Sequence, residues 1–442
     1  MTSEENRQHL LYVAWAFPPA RNAGMYRALA TANAFVREGW NVTVLTATED
    51  TYERLTGSDP ETVNSIDPRI SVVRIPFDPE RGDTNIGSWS RLRVYSPLLW
   101  NASRWLVSLA QFPELAYGSW RKPLERAAEK IHEATPVDLV LGTANPNVDF
   151  AAANHLNRRF GIPFVIDHRD AWHLNVYSGK RVGKRWHRSN RLERSLLARC
   201  TEAWFVNKPI EQWHSTEYPH AADKFHVVAN GYDTSFVGDT SSARPEGSPL
   251  VFGYLGTIYG PIPLREALEG WALARARVPQ LENAKLVIRG RLGHFAEADQ
   301  EAANLLKSFE GDNVSYGGPV SKTQVSATYQ DFDALLLVIS KSRYVTSGKV
   351  FEYASTGLPI AALHDPITAA TGILEGYPSV HSATAVGAEE FAAAIESAAI
   401  AATNSTAETR AAARTWAAHL ERDAQLAPRI SALRETIESG RQ

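Results

Sequence analysis

Cysteine is nearly absent: Cys200 is the only one among 442 residues. A lone thiol excludes an intrachain disulfide and a cysteine-rich zinc site, and it suits a reducing compartment. Long apolar runs are missing as well. No stretch reaches the roughly 18 consecutive apolar residues that a membrane-spanning helix needs. The segment from Met1 to His9 is polar and passes directly into Leu10-Leu11-Tyr12-Val13-Ala14, without the charged-then-apolar layout of a secretion signal. The expectation is a cytoplasmic protein, with peripheral contact at the inner face of a membrane as the one extension. An excess of charge of one sign is lacking too: 46 Lys and Arg stand against 49 Asp and Glu. A net charge of -3 gives no global electrostatic reason to bind nucleic acid, and no such partner is expected. Finally, no G-x-G-x-x-G follows Leu10–Phe17 or Leu250–Leu255, which argues against a nicotinamide dehydrogenase.

What is present describes an ordinary globular chain. Hydrophobic residues make up 44% and charged residues 21%, which leaves little room for disorder. The length exceeds what one core supports, so two domains of roughly 200 residues are expected. Extended apolar segments recur at Leu10–Phe17, Val42–Thr46, Ile70–Ile75, Asp138–Gly142, Pro163–Asp167, Ala203–Asn207 and Phe225–Ala229. Between the first two, Met25, Ala28, Leu29, Ala32, Phe35 and Val36 follow helical spacing, and Gly39 stands where a helix stops. This is β-α-β, which implies a parallel sheet with right-handed crossovers. A small, polar stretch from Gly238 to Pro249 reads as a linker. A second series follows, with strands at Leu250–Leu255, Lys285–Arg289, Val314–Tyr316, Ala334–Ile339 and Pro359–Leu363, and a weaker one near Ser379–His381.

The expected architecture is α/β: two doubly wound, Rossmann-like domains, 1–237 and 250–405, facing each other across a cleft, joined by the linker 238–249. A helical tail, 406–442, offers Trp416, Leu420, Leu426, Ile430 and Leu433 as apolar contacts; it is expected to cross back onto the first domain, with a peripheral helix that stays on the second domain as the alternative the pattern leaves open.

The segment richest in chemistry is Ser347-Gly348-Lys349-Val350-Phe351-Glu352-Tyr353. A helix opening at Ser347-Gly348 points free backbone N–H groups at one spot, and Lys349 adds a positive charge beside them, as a diphosphate requires. Glu352 follows within about a turn, where its carboxylate can accept hydrogen bonds from two vicinal hydroxyls of a ribose. The bland alternative makes Lys349 a solvated helix residue and Glu352 a favourable charge at a helix N-terminus. Context favours nucleotide binding: strand, loop, helix, strand is how open α/β sheets build ligand crevices at their carboxyl ends.

Further segments then form a pattern. Trp15-Ala16-Phe17-Pro18-Pro19 through Gly24 and Arg27, Asp167-His168-Arg169-Asp170-Ala171-Trp172, Asn230-Gly231-Tyr232-Asp233, Gly253-Tyr254-Leu255-Gly256-Thr257-Ile258-Tyr259-Gly260 and the Lys349/Glu352 segment occur in this order. Together they resemble a bacterial family 4 glycosyltransferase of the GT-B fold over nearly the whole chain. The resemblance implies a nucleotide-sugar donor, UDP-sugar first, bound mainly by the C-terminal domain. It implies an acceptor against the N-terminal domain, retention of anomeric configuration, and no metal or other cofactor. By resemblance Glu352 holds the ribose and Lys349 the diphosphate, with Ser347 and Gly348 at the same corner. Gly256 and Thr257 bring backbone to the phosphates, and Gly24 does likewise from the other domain; glycine admits an approach that a Cβ would obstruct. Many relatives carry a glutamate eight positions before Glu352, where this chain has Tyr344. The Arg and Lys frequent after the first strand of the second domain are not evident in Gly260-Pro261-Ile262-Pro263-Leu264-Arg265, so Arg289 and Arg291 stand in as donor-side cations, or else as surface arginines.

Asp167-His168-Arg169-Asp170 ends a strand, which places Asp170 and Arg169 to orient acceptor or donor sugar and His168 to assist proton movement near neutral pH. For each, a structural ion pair or capped loop is the alternative. Trp89, Trp100, Trp105 and Trp120 occur among Arg91, Arg93, Arg104, Arg121 and Lys122. Indoles with cations suit a membrane interface and a lipid-linked acceptor, or simple helix packing. A glycan, a lipid-linked sugar and a small molecule all remain open as acceptor. A sugar-nucleotide epimerase of the same layout and a catalytically silent nucleotide-binding partner are the rival readings.

Overall fold

The computed structural model describes residues 7–77, 87, 89–108, 111–114, 116–234, 247–258, 262–293 and 299–441. Most of the expected linker, and Tyr259 and Gly260, lie outside these residues. The chain divides into two compact units. The first comprises 1–175, 180–228 and 426–442, and the second 176–179 and 229–425.

The first unit holds seven parallel strands: β1 (His9–Val13), β2 (Asn41–Ala47), β3 (Ser71–Ile75), β4 (Leu139–Ala144), β5 (Phe164–His168), β6 (Glu202–Phe205) and β7 (Phe225–Val227). Their order across the sheet is β3-β2-β1-β4-β5-β6-β7. The central strands β1, β4 and β5 are buried along their whole length, as continuous apolar runs in a two-sided parallel sheet must be. The first run was expected to extend to Phe17, but β1 stops at Val13. Beyond it the Ala14 N–H still donates to the Leu45 carbonyl (3.1 Å) and the Ala47 N–H to the Trp15 carbonyl (3.4 Å), and side chains join in: the Trp15 N–H donates to the Asp149 carboxyl (2.7 Å) and the Trp15 carbonyl also accepts from the Tyr52 hydroxyl (2.8 Å).

The second unit holds β8 (Val251–Leu255), β9 (Lys285–Arg289), β10 (Val314–Tyr316), β11 (Ala334–Val338), β12 (Ile360–Leu363) and β13 (Val380–Ser382), all parallel. The order β10-β9-β8-β11-β12-β13 is the doubly wound 3-2-1-4-5-6 pattern. Alternate residues of β11 enter opposite cores: Leu336 and Val338 pack with Phe252, Trp271 and Phe391, while Leu335 and Leu337 pack with Phe351, Tyr353 and Leu358. Both faces are therefore covered, and the strand order reverses between β8 and β11.

Residues from Leu426 onward group with the first unit, within a helix running Arg422–Arg441. Leu426, Ile430, Leu433 and Ile437 on it are buried, and Arg429 pairs with Glu202 of β6.

Candidate functional site: a basic helix start at the switch point

In the second unit, the helix Lys349–Thr356 follows β11 and opens beside the end of β8, at the point where strand order reverses. In open α/β sheets this is where ligands bind. The helix forms because Val350, Phe351, Tyr353 and Ala354 bury one side, and it ends at Gly357, whose φ of +76° continues no helix. A Cβ on Gly357 would meet the Arg410 carbonyl at 2.5 Å, so glycine also admits the neighbouring helix Ala407–Ala417.

Tyr353 fastens the helix to β8: its hydroxyl accepts from the Leu255 N–H (2.9 Å) and donates to the Leu255 carbonyl (3.3 Å). Gly256 comes next, with φ +145°. A Cβ there would lie 2.1 Å from Cε of Lys349, so the missing side chain is what lets the lysine lie across this turn. Lys349 Nζ donates to the Thr257 carbonyl at 3.4 Å and sits 5.1 Å from the Tyr254 ring centroid. The lysine is half-buried, and desolvation pushes its pKa down to about 8, with Glu352 opposing only in part. A cation held so poorly compensated is one that an anionic ligand would complete.

Glu352 accepts from the Tyr329 hydroxyl (3.3 Å) through Oε2, and Ser347 Oγ accepts from the Lys349 N–H (3.3 Å). Gly348, exposed, precedes the helix. Gly256, Thr257, Ser347, Gly348, Lys349 and Glu352 thus assemble at one corner. Arg289 joins through its backbone, its carbonyl accepting from the Gly256 N–H at 2.8 Å, while its side chain runs along Gly317. Arg291 is exposed, its carbonyl accepting from Ile258 N–H (2.8 Å). Tyr344, in the place of the expected glutamate, packs against Gly179. Tyr254 and Tyr353 stand inside motif segments of the sequence but carry no role there, and Tyr329 is not singled out; their hydroxyl and ring contacts emerge only from the structure.

In the first unit, Gly24, Arg169 and Asp170 also come together. The Arg169 guanidinium donates to Asp170 Oδ2, which also accepts from Asn145 Nδ2 (3.2 Å), and a Cβ on Gly24 would stand 3.2 Å from Arg169 Nη1. Asp170 is about half exposed, so this cluster meets solvent. Arg27 and Asp167 lie beneath it as a buried bidentate pair (2.7 and 2.8 Å), with Thr143 and the Val228 carbonyl taking remaining bonds. Both side chains are buried, at 7% and 0% exposure.

His168 does not fit the expected role. It is fully buried, stacked on Phe205 and edge-on to Phe150, and burial drives its pKa down to about 3. A proton shuttle near neutrality needs a group that is wet and titrates there. Trp120 departs likewise from the proposed membrane set, being fully buried with Nε1 donating to the Pro76 carbonyl (3.1 Å). Trp89 and Trp100, by contrast, flank the Arg93 guanidinium (3.9 and 4.8 Å to the ring centroids). No described helix is long and apolar enough to cross a membrane.

No protein-family model matches the chain, and no curated protein matches it in sequence. Solved structures do match in fold. A glycosyltransferase from Rickettsia africae superposes with a TM-score of 0.63 at 12% identity, covering 97% of this chain and 98% of that one. Anabaena HepE in complex with UDP and glucose gives 0.57 at 15% identity, with 98% and 100% covered. A Listeria monocytogenes protein described as a UDP-N-acetylglucosamine 2-epimerase gives 0.56 at 11% identity, with 98% and 97% covered. The chain has the GT-B fold.

Proposed function

We propose that the protein is a glycosyltransferase of the family 4 type that moves a sugar from a nucleoside-diphosphate donor, a UDP-sugar first, to an acceptor hydroxyl. One observation carries this reading: an under-compensated Lys349, folded over Gly256 at a helix start, stands one turn from Glu352 at the switch point of a doubly wound sheet. The complex of HepE with UDP and glucose lends support from a protein of the same fold.

In the proposed reaction the anomeric C–O bond to the diphosphate breaks while a bond to the acceptor oxygen forms on the same face, with retention. The leaving phosphate oxygen takes the acceptor proton, so no protein nucleophile is required. Charge grows on the diphosphate as it leaves, and Lys349 with the N–H groups at the helix start is preorganised to stabilise it. Glu352 receives the ribose hydroxyls, Gly256 and Thr257 line the phosphates, and Arg289 contributes positive charge from β9. Arg169 and Asp170 are assigned to orienting the sugar or acceptor, and Gly24 to a close backbone approach to the donor.

The acceptor side carries a further indication. The helices Arg91–Tyr95 and Pro97–Ser108 leave Tyr95 (82%), Leu98 (85%), Leu99 (65%) and Leu106 (61%) exposed beside Arg91, Arg93 and Arg104. Apolar side chains interleaved with cations suit an anionic lipid surface, and with it a lipid-linked acceptor.

Thermal shift with UDP-, GDP- and dTDP-sugars tests the donor reading. A ligand at about 100 times its dissociation constant adds about 2.7 kcal/mol, and Lys349→Ala is expected to abolish the gain. Indifference of the wild-type protein to all three donors would end this reading. The epimerase fold neighbour favours one second reading, and incubation with donor alone separates them: an epimerase converts the donor sugar without any acceptor.

A further inference from the structure

We propose that His168, Glu193 and His214 form a divalent metal site of the zinc type in the interior of the first unit. The three residues come from β5, the helix Arg188–Arg199 and the helix Lys208–Glu217, and their ligand atoms all lie within 4.8 Å of one another. All three side chains are buried, at 0%, 1% and 0% exposure. Each leaves at least one polar atom without a protein partner: both ring nitrogens of His168, Nε2 of His214 and Oε1 of Glu193 are buried without a hydrogen bond. A buried polar atom left unpaired costs about 1–3 kcal/mol, and one from each of the three residues, gathered in one place, calls for an occupant.

The surrounding bonds specify what that occupant is. His214 Nδ1 lies 2.9 Å from the Ile210 carbonyl, a pure acceptor, so Nδ1 carries a hydrogen, and in the neutral ring Nε2 presents a lone pair on the side of Glu193. Glu193 Oε2 is engaged by His173 Nδ1 (2.7 Å) and by the Tyr218 hydroxyl, which turns Oε1 toward His214 at 3.8 Å. His168, bonded to nothing through either nitrogen, is free to present its own lone pair. Three lone pairs then converge. A water molecule has only two hydrogens to offer them, whereas a cation satisfies all three.

Two histidines and a carboxylate are a zinc donor set, with a fourth position open to water. Zinc bonds of about 2.0–2.2 Å hold tetrahedral donors about 3.3–3.5 Å apart, so the ion would draw these side chains in by about 1 Å. Hydrogen bonds from His173 and Tyr218 to the far carboxylate oxygen are the outer contacts that orient such a ligand. The site belongs to the first unit, the donor corner to the second, and it does not depend on the transferase reading. Its consequence is positional: His168 directly precedes Arg169 and Asp170, so a metal here would fix the start of the loop that carries them.

The full-length chain, produced in zinc-supplemented medium and gel-filtered, is expected to carry about one zinc per molecule by elemental analysis. Cobalt(II) in its place should give the visible d–d absorption of a four-coordinate ion. Tyr218→Phe should weaken zinc affinity about 10–100-fold, the usual effect of losing an outer hydrogen bond, and Glu193→Gln should lose the metal altogether. Should Glu193→Gln fail to fold, the wild-type metal content and the Tyr218→Phe titration still decide. Folded wild-type protein that takes up no zinc, and melts at the same temperature with zinc or with chelator, would overturn the site and assign the cluster to buried water.

Discussion

Lys349 is where stability and function pull in opposite directions. Its folded pKa of about 8 lies below the unfolded value of 10.5, so between these values the unfolded chain binds more protons. Stability therefore rises with pH through this window, and below about pH 8 the folded protein bears the full cost of a charged, half-buried ammonium. Lys349→Met is expected to stabilise the ligand-free protein at pH 7 by about 1 kcal/mol, well under a full conversion of the shift because the ammonium keeps some hydration. The same change should remove nucleotide binding. In the wild-type protein a bound diphosphate favours the protonated amine, so affinity should be greatest below pH 8 and fall by up to about tenfold per unit above it. Denaturant melts and nucleotide titrations across pH 6.5 to 9.5 measure both, and a flat affinity profile would separate Lys349 from the diphosphate.

Elements explain why some of this was legible in sequence and some was not. The strands were readable because a parallel sheet covered on both faces demands short, continuous apolar runs, as in Ala334–Val338 and Ile360–Leu363. The corner at Lys349 was readable because it follows such a run and precedes another. The tyrosines that build it were not, since periodicity cannot tell a Tyr353 whose hydroxyl holds Leu255 from one that merely fills space. The grouping of His168, itself named in the sequence for another role, with Glu193 and His214 was equally hidden, since the three come from separate elements without motif spacing. Trp120 was misgrouped with Trp89 and Trp100 for a related reason: composition places indoles near arginines but does not say which way a helix turns. The exposed helix Pro97–Ser108 invites a direct test, because Leu98 and Leu99 make little use of the folded core. Replacing both by Glu should leave the melting temperature within a degree or two of wild type. Binding to anionic vesicles should weaken by about a hundredfold or more, as two leucines lost from the lipid interface would require. Equal co-sedimentation of both proteins would remove this face from the acceptor model.

At the scale of the whole molecule, the chain's last segment completes a unit that began with its first strand. Leu426, Ile430, Leu433 and Ile437 are buried in the first unit, Arg429 pairs with Glu202 on β6, and Gln8 Nε2 donates to the Arg434 carbonyl (3.5 Å). Apolar patterning on the tail was visible in the sequence, but a pattern gives a face and not its partner. The energetic stake is large. Four buried aliphatic side chains contribute about 6–12 kcal/mol as an upper estimate, comparable to the entire stability of an ordinary domain. Removing them also takes Arg429 from Glu202, whose carboxylate keeps the bond from Trp204 Nε1 (2.7 Å). A chain ending at Gln425 is therefore expected to lose the cooperative unfolding transition of its first unit, seen as missing heat in calorimetry and rapid proteolysis within 1–228. The second unit contains Gly256, Lys349 and Glu352, together with Tyr329 and Tyr353, all outside the deleted segment. Nucleotide should still shift its melting in the truncated protein, while transfer to any acceptor should be lost with the unit that carries Arg169 and Asp170.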